Sequence, residues 1–489
     1  MYAWKSNADW NKKTFGKSLA GLILLSVLMK LTDGAGFLVV VAYGMYALFS
    51  NKASKILYSL ILSNCALMGN AWFFPKGIVF GFACRVLMVM IGVGMMLRVL
   101  KSRNDNVIFP FMLILPYMFY MILPSCFGWA PMVSILKITL FLLVYYAYIG
   151  STKSALATPA SDIREIRAMA LAVAAFFIFG SLIIYPFPNI CYMHKDEMFL
   201  DAQFLQDIEA GVMVSLFKGM AWHSQTLGPL MAVMSIFLLG DLIFNVRRAD
   251  KVYIAMLIVA PLLLYKTSSR AAMATLLTGA IALIWMLVSA RNIQIGWRGN
   301  VLNIAFLLSA MFMIAVIIVP GIREGVVRYT LKYSKDVDAK THVRMEDVMS
   351  TRQFLMDEAM YNWRKKPLIG NGFQVAESMR HERREGIGAY LSAPVEKGVW
   401  VTAVLEEGGI IGMLLFCLFW IPAVILLWRG GFYSTSTMLL SFVVMNMAEF
   451  TMFSMSGTGG FIWSMIFITA ILDGKSRKWL ERFPNGLGF

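Results

Sequence analysis

Charge is scarce in this chain: 15% of its 489 residues are charged, while 59% are hydrophobic. Soluble domains carry about 25% charged residues, so there is too little polar surface here to wrap a soluble core. Cysteine is scarce as well. Cys65, Cys84, Cys126, Cys191 and Cys417 are spread thinly, with no CxxC, which excludes a disulfide scaffold and a thiolate metal site. Only Cys126 and Cys191 both fall near the outer face, where a bridge between them is conceivable. There are four histidines, with no HExxH and no clustered ligand spacing, so no metal site is expected. Walker and dinucleotide fingerprints are absent, and Gly370-Asn371-Gly372 is too short to be one. Work done on the outer face would therefore use a substrate that arrives already activated, and no cofactor is called for. No repeat of 20–50 residues is present, which argues against a transporter built from duplicated halves. No small-residue cleavage site follows the first apolar run, so Met1 to Lys17 reads as an uncleaved cytoplasmic start.

What is present is a series of apolar runs of membrane-spanning length. Fourteen candidates emerge: 18–31, 35–50, 56–74, 77–97, 107–126, 129–150, 168–185, 225–246, 252–266, 271–290, 301–320, 403–428, 437–455 and 458–472. Several are short or weakly separated, so the fold class is an all-α polytopic membrane protein of about 12–14 transmembrane helices. The net charge of +16 would suggest nucleic acid in a soluble protein. In a membrane protein it reports orientation, because cytoplasmic loops retain Lys and Arg. Outer connections other than 321–398 hold only Lys30, Lys76, Lys195, Lys218, Lys266 and Arg270, against 22 basic residues in the alternate segments. Both termini are therefore expected in the cytoplasm. Arg85 and Lys137 lie within spans.

The organisation that follows has a cytoplasmic N-terminus (1–17) and a transmembrane bundle (18–320). After these come an outer cap (321–399), C-terminal transmembrane helices (400–472) and a cytoplasmic tail (473–489). Two outer segments exceed simple turns. Within 186–224, Phe204, Ile208, Val212 and Leu216 recur every four residues, the pattern of an amphipathic helix lying on the membrane surface. The 321–399 segment mixes many charges with Phe354, Tyr361, Trp363, Phe373 and Tyr390, which favours a folded cap over a linker. Residues 352–365 read as a helix, with Ser350 or Thr351 capping its start, basic residues at its end, and Pro367 stopping it.

All four histidines (His194, His223, His342, His381) fall in these outer segments. Arg270 follows Thr267-Ser268-Ser269 and opens the next span. A guanidinium beside free helix N-terminal amides makes an anion site, and an arginine snorkelling to the interface is the plainer alternative. Four stretches together resemble the superfamily of O-antigen ligases and O-antigen-type polysaccharide polymerases. They are Ala221-Trp222-His223-Ser224-Gln225-Thr226-Leu227-Gly228, Ser268-Ser269-Arg270-Ala271, Ser350-Thr351-Arg352 with Pro367-Leu368-Ile369-Gly370-Asn371-Gly372-Phe373, and Leu405-Glu406-Glu407-Gly408-Gly409-Ile410-Ile411-Gly412. The resemblance covers roughly 220–430. The family's His-Asn pair, about nine residues before the glutamate of the last motif, is replaced here by Gly398-Val399.

The resemblance implies a glycosyltransferase of the C-type membrane fold on the outer face of a bacterial inner membrane. Its donor would be a saccharide on polyprenyl diphosphate and its acceptor a sugar hydroxyl on a second lipid-linked chain. Arg270 and Arg352 would stabilise charge on the leaving diphosphate, with Arg344 and Lys397 as further basic groups for substrate. Glu396 is the first candidate for the base and His223 the second, while Glu407 reads as a tie between helix and loop. The partners implied are the lipid bilayer and chain-length regulator or export proteins, not nucleic acid. Three alternatives stay open: a ligase acting on a lipid or protein acceptor, a lipid-linked oligosaccharide flippase, and a scaffold.

Overall fold

The computed structural model describes residues 10–50, 52–75, 78–101, 109–157, 160–192, 217–245, 251–267, 269–289, 345–377, 397–447, 450–454 and 456–482. Among them the chain is helical, with no β-strand beyond isolated bridges. The helices longer than four residues are α1 (Lys12–Leu31), α2 (Phe37–Ser50), α3 (Ala53–Met68), α4 (Ile78–Lys101), α5 (Ile114–Cys126), α6 (Pro131–Ala157) and α7 (Ala160–Ile184). Then follow α8 (Ser224–Phe244), α9 (Lys251–Lys266), α10 (Arg270–Ser289), α11 (Met345–Lys365), α12 (Trp400–Arg429), α13 (Tyr433–Met445) and α14 (Gly457–Arg482). Among the described residues, eight helices are long and apolar enough to cross a membrane, so the architecture is that of a multi-pass membrane protein.

The distribution of side chains is that of a bundle solvated by lipid. Phe82, Val86, Met90, Val93 and Leu97 form an exposed stripe on α4, and Ile254, Ile258 and Leu262 form another on α9. Stripes of this kind would aggregate in water and are the expected outer surface in hydrocarbon. The polar groups turn inward instead. Ser54, Ser59, Ser63 and Asn64 of α3 are buried, and Asn64 Nδ2 donates to Tyr148 Oη of α6 at 3.2 Å. In a membrane interior such groups hold helices together, because hydrocarbon offers them no partner. α8 and α14 are buried on nearly every face and occupy the centre. At one end of the bundle Arg167 of α7 grips Asp241 of α8 through two contacts of 3.1 Å. Tyr253 of α9 donates to the same carboxylate at 3.2 Å. Nearby, Asp473 of α14 accepts from Asn245 Nδ2 and from the Thr435 amide, both at 2.9 Å. These two clusters tie α7, α8, α9, α13 and α14 together at that end.

Several boundaries differ from the sequence reading. Helix α11 begins at Met345 and not near 352, so Ser350 and Thr351 lie inside it and do not cap it. The acidic pair Glu346-Asp347 suits the positive end of the longer helix. The apolar run 437–455 is helical only to Met445. There Asn446 Oδ1 accepts from the amides of Thr451 and Met452 at 2.7 and 2.9 Å, which folds the chain into a loop. The run 56–74 ends its helix at Met68, where Asn70 turns the chain. Cys126 and Cys191 are free thiols, and Cys191 is buried. The expected surface helix at 204–216 and the span 301–320 lie outside the described residues.

Candidate functional site

The third and fourth motif stretches meet, and a break in α12 is the reason. Gly409 has φ 64° and ψ −163°, a backbone state essentially reserved for glycine. The helical ladder stops there, so the carbonyls of Glu406 and Glu407 and the amides of Ile410 and Ile411 lose their usual partners. Residues 367–374, which Pro367 keeps from continuing α11, supply replacements as an irregular strap of turns. The amides of Asn371 and Gly372 donate to the Glu406 and Glu407 carbonyls at 2.8 and 3.0 Å. The amides of Ile410 and Ile411 donate to the Pro367 and Leu368 carbonyls at 2.9 and 3.3 Å. Broken helices at membrane depth are tolerated only where such partners exist.

The other side of the strap is fixed to the hairpin between α5 and α6. Phe373 N donates to Ser125 Oγ at 3.2 Å, and its carbonyl accepts from Ser134 Oγ at 2.8 Å. Lys137 Nζ donates to the Gln374 carbonyl at 2.9 Å. The Phe373 ring is fully buried against Phe453. The amides of Gly370, Asn371, Gly372 and Phe373 are all engaged. This glycine-rich run is therefore a structural splice and does not cradle phosphate.

A buried charge cluster sits at the splice. Lys397 Nζ lies 3.2 Å from Glu406 Oε2 and 3.2 Å from Glu407 Oε1. Asn362 Nδ2 of α11 donates to Glu406 Oε1 at 3.0 Å, and Asn371 Nδ2 donates to the Asn362 carbonyl at 3.0 Å. Burial alone would pull the Lys397 ammonium down, but the two carboxylates outweigh it and hold the group above the ordinary lysine value. Lys397 is 4% exposed, so it would have to leave both carboxylates to meet a ligand. Two adjacent acids in an apolar helix are costly unless paired. That was the available sign of a cluster at Glu406, while Asn362 and Asn371 gave none.

The first and second motif stretches also meet. The amide of Trp222 donates to the Met68 carbonyl at 2.8 Å, and His223 caps α8, its Nδ1 accepting from Gln225 N at 3.0 Å. Gly228 presses against Ser269 and Thr267, where a β-carbon would collide with both side chains. Arg270 opens α10 and is half-buried. Along α10, Gly279 meets Ser441 of α13 and Met286 meets Thr437, so Arg270 lies at the end where α13 finishes. At that same end the Trp400 amide donates to the Asn446 carbonyl at 3.0 Å. Parts of all four stretches thus share one end of the bundle, the third through residues 367–373.

Of the candidate residues, His223, Arg270 and Lys397 are placed as above. Arg352 lies on α11. Glu396 and Arg344, like His194, His342 and His381, lie outside the described residues. Among the described residues, no group of three or more His, Cys, Asp or Glu is placed to hold a metal ion. No family model matches this chain, and comparison with curated proteins likewise gives no match.

Proposed function

We propose that this protein polymerises a bacterial surface polysaccharide, moving glycan from polyprenyl diphosphate to a lipid-linked acceptor sugar at the outer face of the inner membrane. The observation that carries the reading is the convergence of parts of four stretches, scattered between residues 221 and 412, on one end of a membrane bundle. That end holds a half-buried arginine at a helix start, Arg270, and the backbone of the Arg352-bearing helix is spliced to it through residues 367–374.

In this reading the donor carries its own leaving group. The bond from the sugar C1 to the diphosphate oxygen breaks, and a bond from C1 to the acceptor oxygen forms. The acceptor proton passes to Glu396, or to His223, and polyprenyl diphosphate departs. Charge builds on the diphosphate, and Arg270 with Arg352 would stabilise it without a metal or other cofactor. A guanidinium suits this task because its planar fork matches two phosphate oxygens at once.

The test uses purified full-length protein in lipid nanodiscs with a polyprenyl-diphosphate-linked oligosaccharide, read as a ladder of lengthening chains. The ladder should form in excess chelator. It should vanish in Arg270→Ala and Arg270→Lys at normal membrane levels, since losing one such donor commonly costs about 10²–10³ in rate. Full polymer from Arg270→Ala would make that residue an interfacial anchor and remove the proposed mechanism. Transfer of a single glycan to lipid A or protein, with no ladder, would replace polymerase by ligase.

A further inference from the structure

Lys397 lies within reach of two carboxylates at the splice, and its role follows from what Glu406 does with its other oxygen. Glu406 Oε2 faces Lys397, while Glu406 Oε1 accepts from Asn362 of α11. The carboxylate is a bridge. On one side is the end of the outer segment, on the other the last turns of the helix that carries Arg352. Asn371 closes the ring by donating both to the Asn362 carbonyl and, through its backbone, to the Glu406 carbonyl. Asn362, Asn371, Lys397, Glu406 and Glu407 are all buried, so this polar ring is shut off from competing solvent. Low-dielectric surroundings make such a network orient its members strictly.

We propose that Lys397 and Glu406 are positioning residues, which hold α11 at a fixed angle to α12 and so set where Arg352 stands, and that Lys397 does not contact the substrate. The activity arm of this idea rests on the transferase reading, and the structural arm does not. Without Lys397, Glu406 and Glu407 would be two neighbouring carboxylates that have lost the ammonium 3.2 Å from each. One would have to turn away, which releases Asn362 and frees α11 to tilt. Arg352 lies ten residues before Asn362 on the same helix, so a small tilt at the anchor becomes a shift of ångströms at Arg352, enough to spoil a bidentate contact.

The test uses full-length protein in nanodiscs with two variants. Lys397→Met removes the ammonium but leaves buried charge and can impair folding. Asn362→Leu leaves both ion pairs in place and cuts only the side-chain bond from α11 to Glu406. Amide exchange over 355–365 should become about ten-fold faster in both, with α8 and α14 unchanged. With the lipid-linked oligosaccharide, Asn362→Leu should lower kcat much as Arg352→Ala does. The Asn362→Leu/Arg352→Ala double variant should stay within about two-fold of Arg352→Ala alone, the signature of two changes acting through one element. Unchanged exchange in Asn362→Leu overturns the clasp, whatever the activity. A raised KM for the donor in Lys397→Met, with Asn362→Leu silent, overturns it too, because Lys397 would then be a substrate ligand. A wild-type protein that transfers no glycan would sink the transferase reading instead, and the exchange result would decide the clasp by itself.

Discussion

Replacing Gly409 by alanine tests the splice at its centre, and the cost can be worked from the geometry. The residue sits at φ 64° and ψ −163°, a state that costs a residue with a β-carbon about 1–3 kcal/mol. The new β-carbon would also overlap the Leu368 carbonyl. That atom is backbone and cannot rotate away, so the strap must retreat by roughly 1 Å to restore normal carbon contact distances. Retreat weakens the bonds from Ile410 and Ile411 to Pro367 and Leu368, each worth about 0.5–1.5 kcal/mol net. The sum is about 4 kcal/mol. Gly370→Ala should behave alike, since its φ is +76° and its β-carbon would overlap the Glu407 carbonyl. Gly457 supplies the control. Its φ is +66° with nothing within 4 Å of the added carbon, so Gly457→Ala should cost only the backbone term, about 1–2 kcal/mol. Gly16, in the interior of α1, has ordinary φ and open space, and Gly16→Ala should stabilise by about 0.5–1 kcal/mol. Unfolding midpoints of the four detergent-solubilised variants should therefore rank Gly16→Ala, wild type, Gly457→Ala, then Gly370→Ala and Gly409→Ala together. If Gly409→Ala melts no lower than Gly457→Ala, the strap does not replace the broken helical ladder.

Three further outcomes are expected. Arg167→Leu should destabilise by about 3–5 kcal/mol because it strands a buried Asp241, whereas the Arg167→Leu/Asp241→Leu pair should recover most of that loss; strictly additive melting shifts would refute the coupling. The Lys397 ammonium is raised in the folded protein, so its contribution is complete below the unfolded lysine value of about 10.4 and disappears only as pH climbs through the higher folded value. The melting midpoint should thus show no Lys397-dependent fall between pH 7 and 10; a fall across that range that disappears in Lys397→Met would contradict the assignment. Reporter fusions at Ser102, Asp250 and the C-terminus should report the cytoplasm and one at Asp336 the outer face; an inward Asp336 would put the proposed site in the wrong compartment.

What the sequence by itself determined is the set of helices. Thirteen of the fourteen apolar runs correspond to helices in the structure, and the remaining one, 301–320, lies outside the described residues. A membrane helix satisfies its backbone within its own segment, so local apolarity is nearly sufficient to announce it. Motif spacing likewise drew attention to 367–373 and 405–412 as stretches of interest. Tertiary structure decided what these stretches do. The run 437–455 is mostly apolar, yet Asn446 ends its helix by capturing amides further along the chain. Lys397 looked like one more cation for a diphosphate. In the folded chain it belongs to Glu406 and Glu407, and through Glu406 to Asn362, which is 35 residues earlier in the sequence. Local pattern records which groups need partners, and the partners of a buried charge or a broken helix come from whichever segments the packing brings alongside. That choice is made by burial across the whole bundle, and no window of sequence contains it.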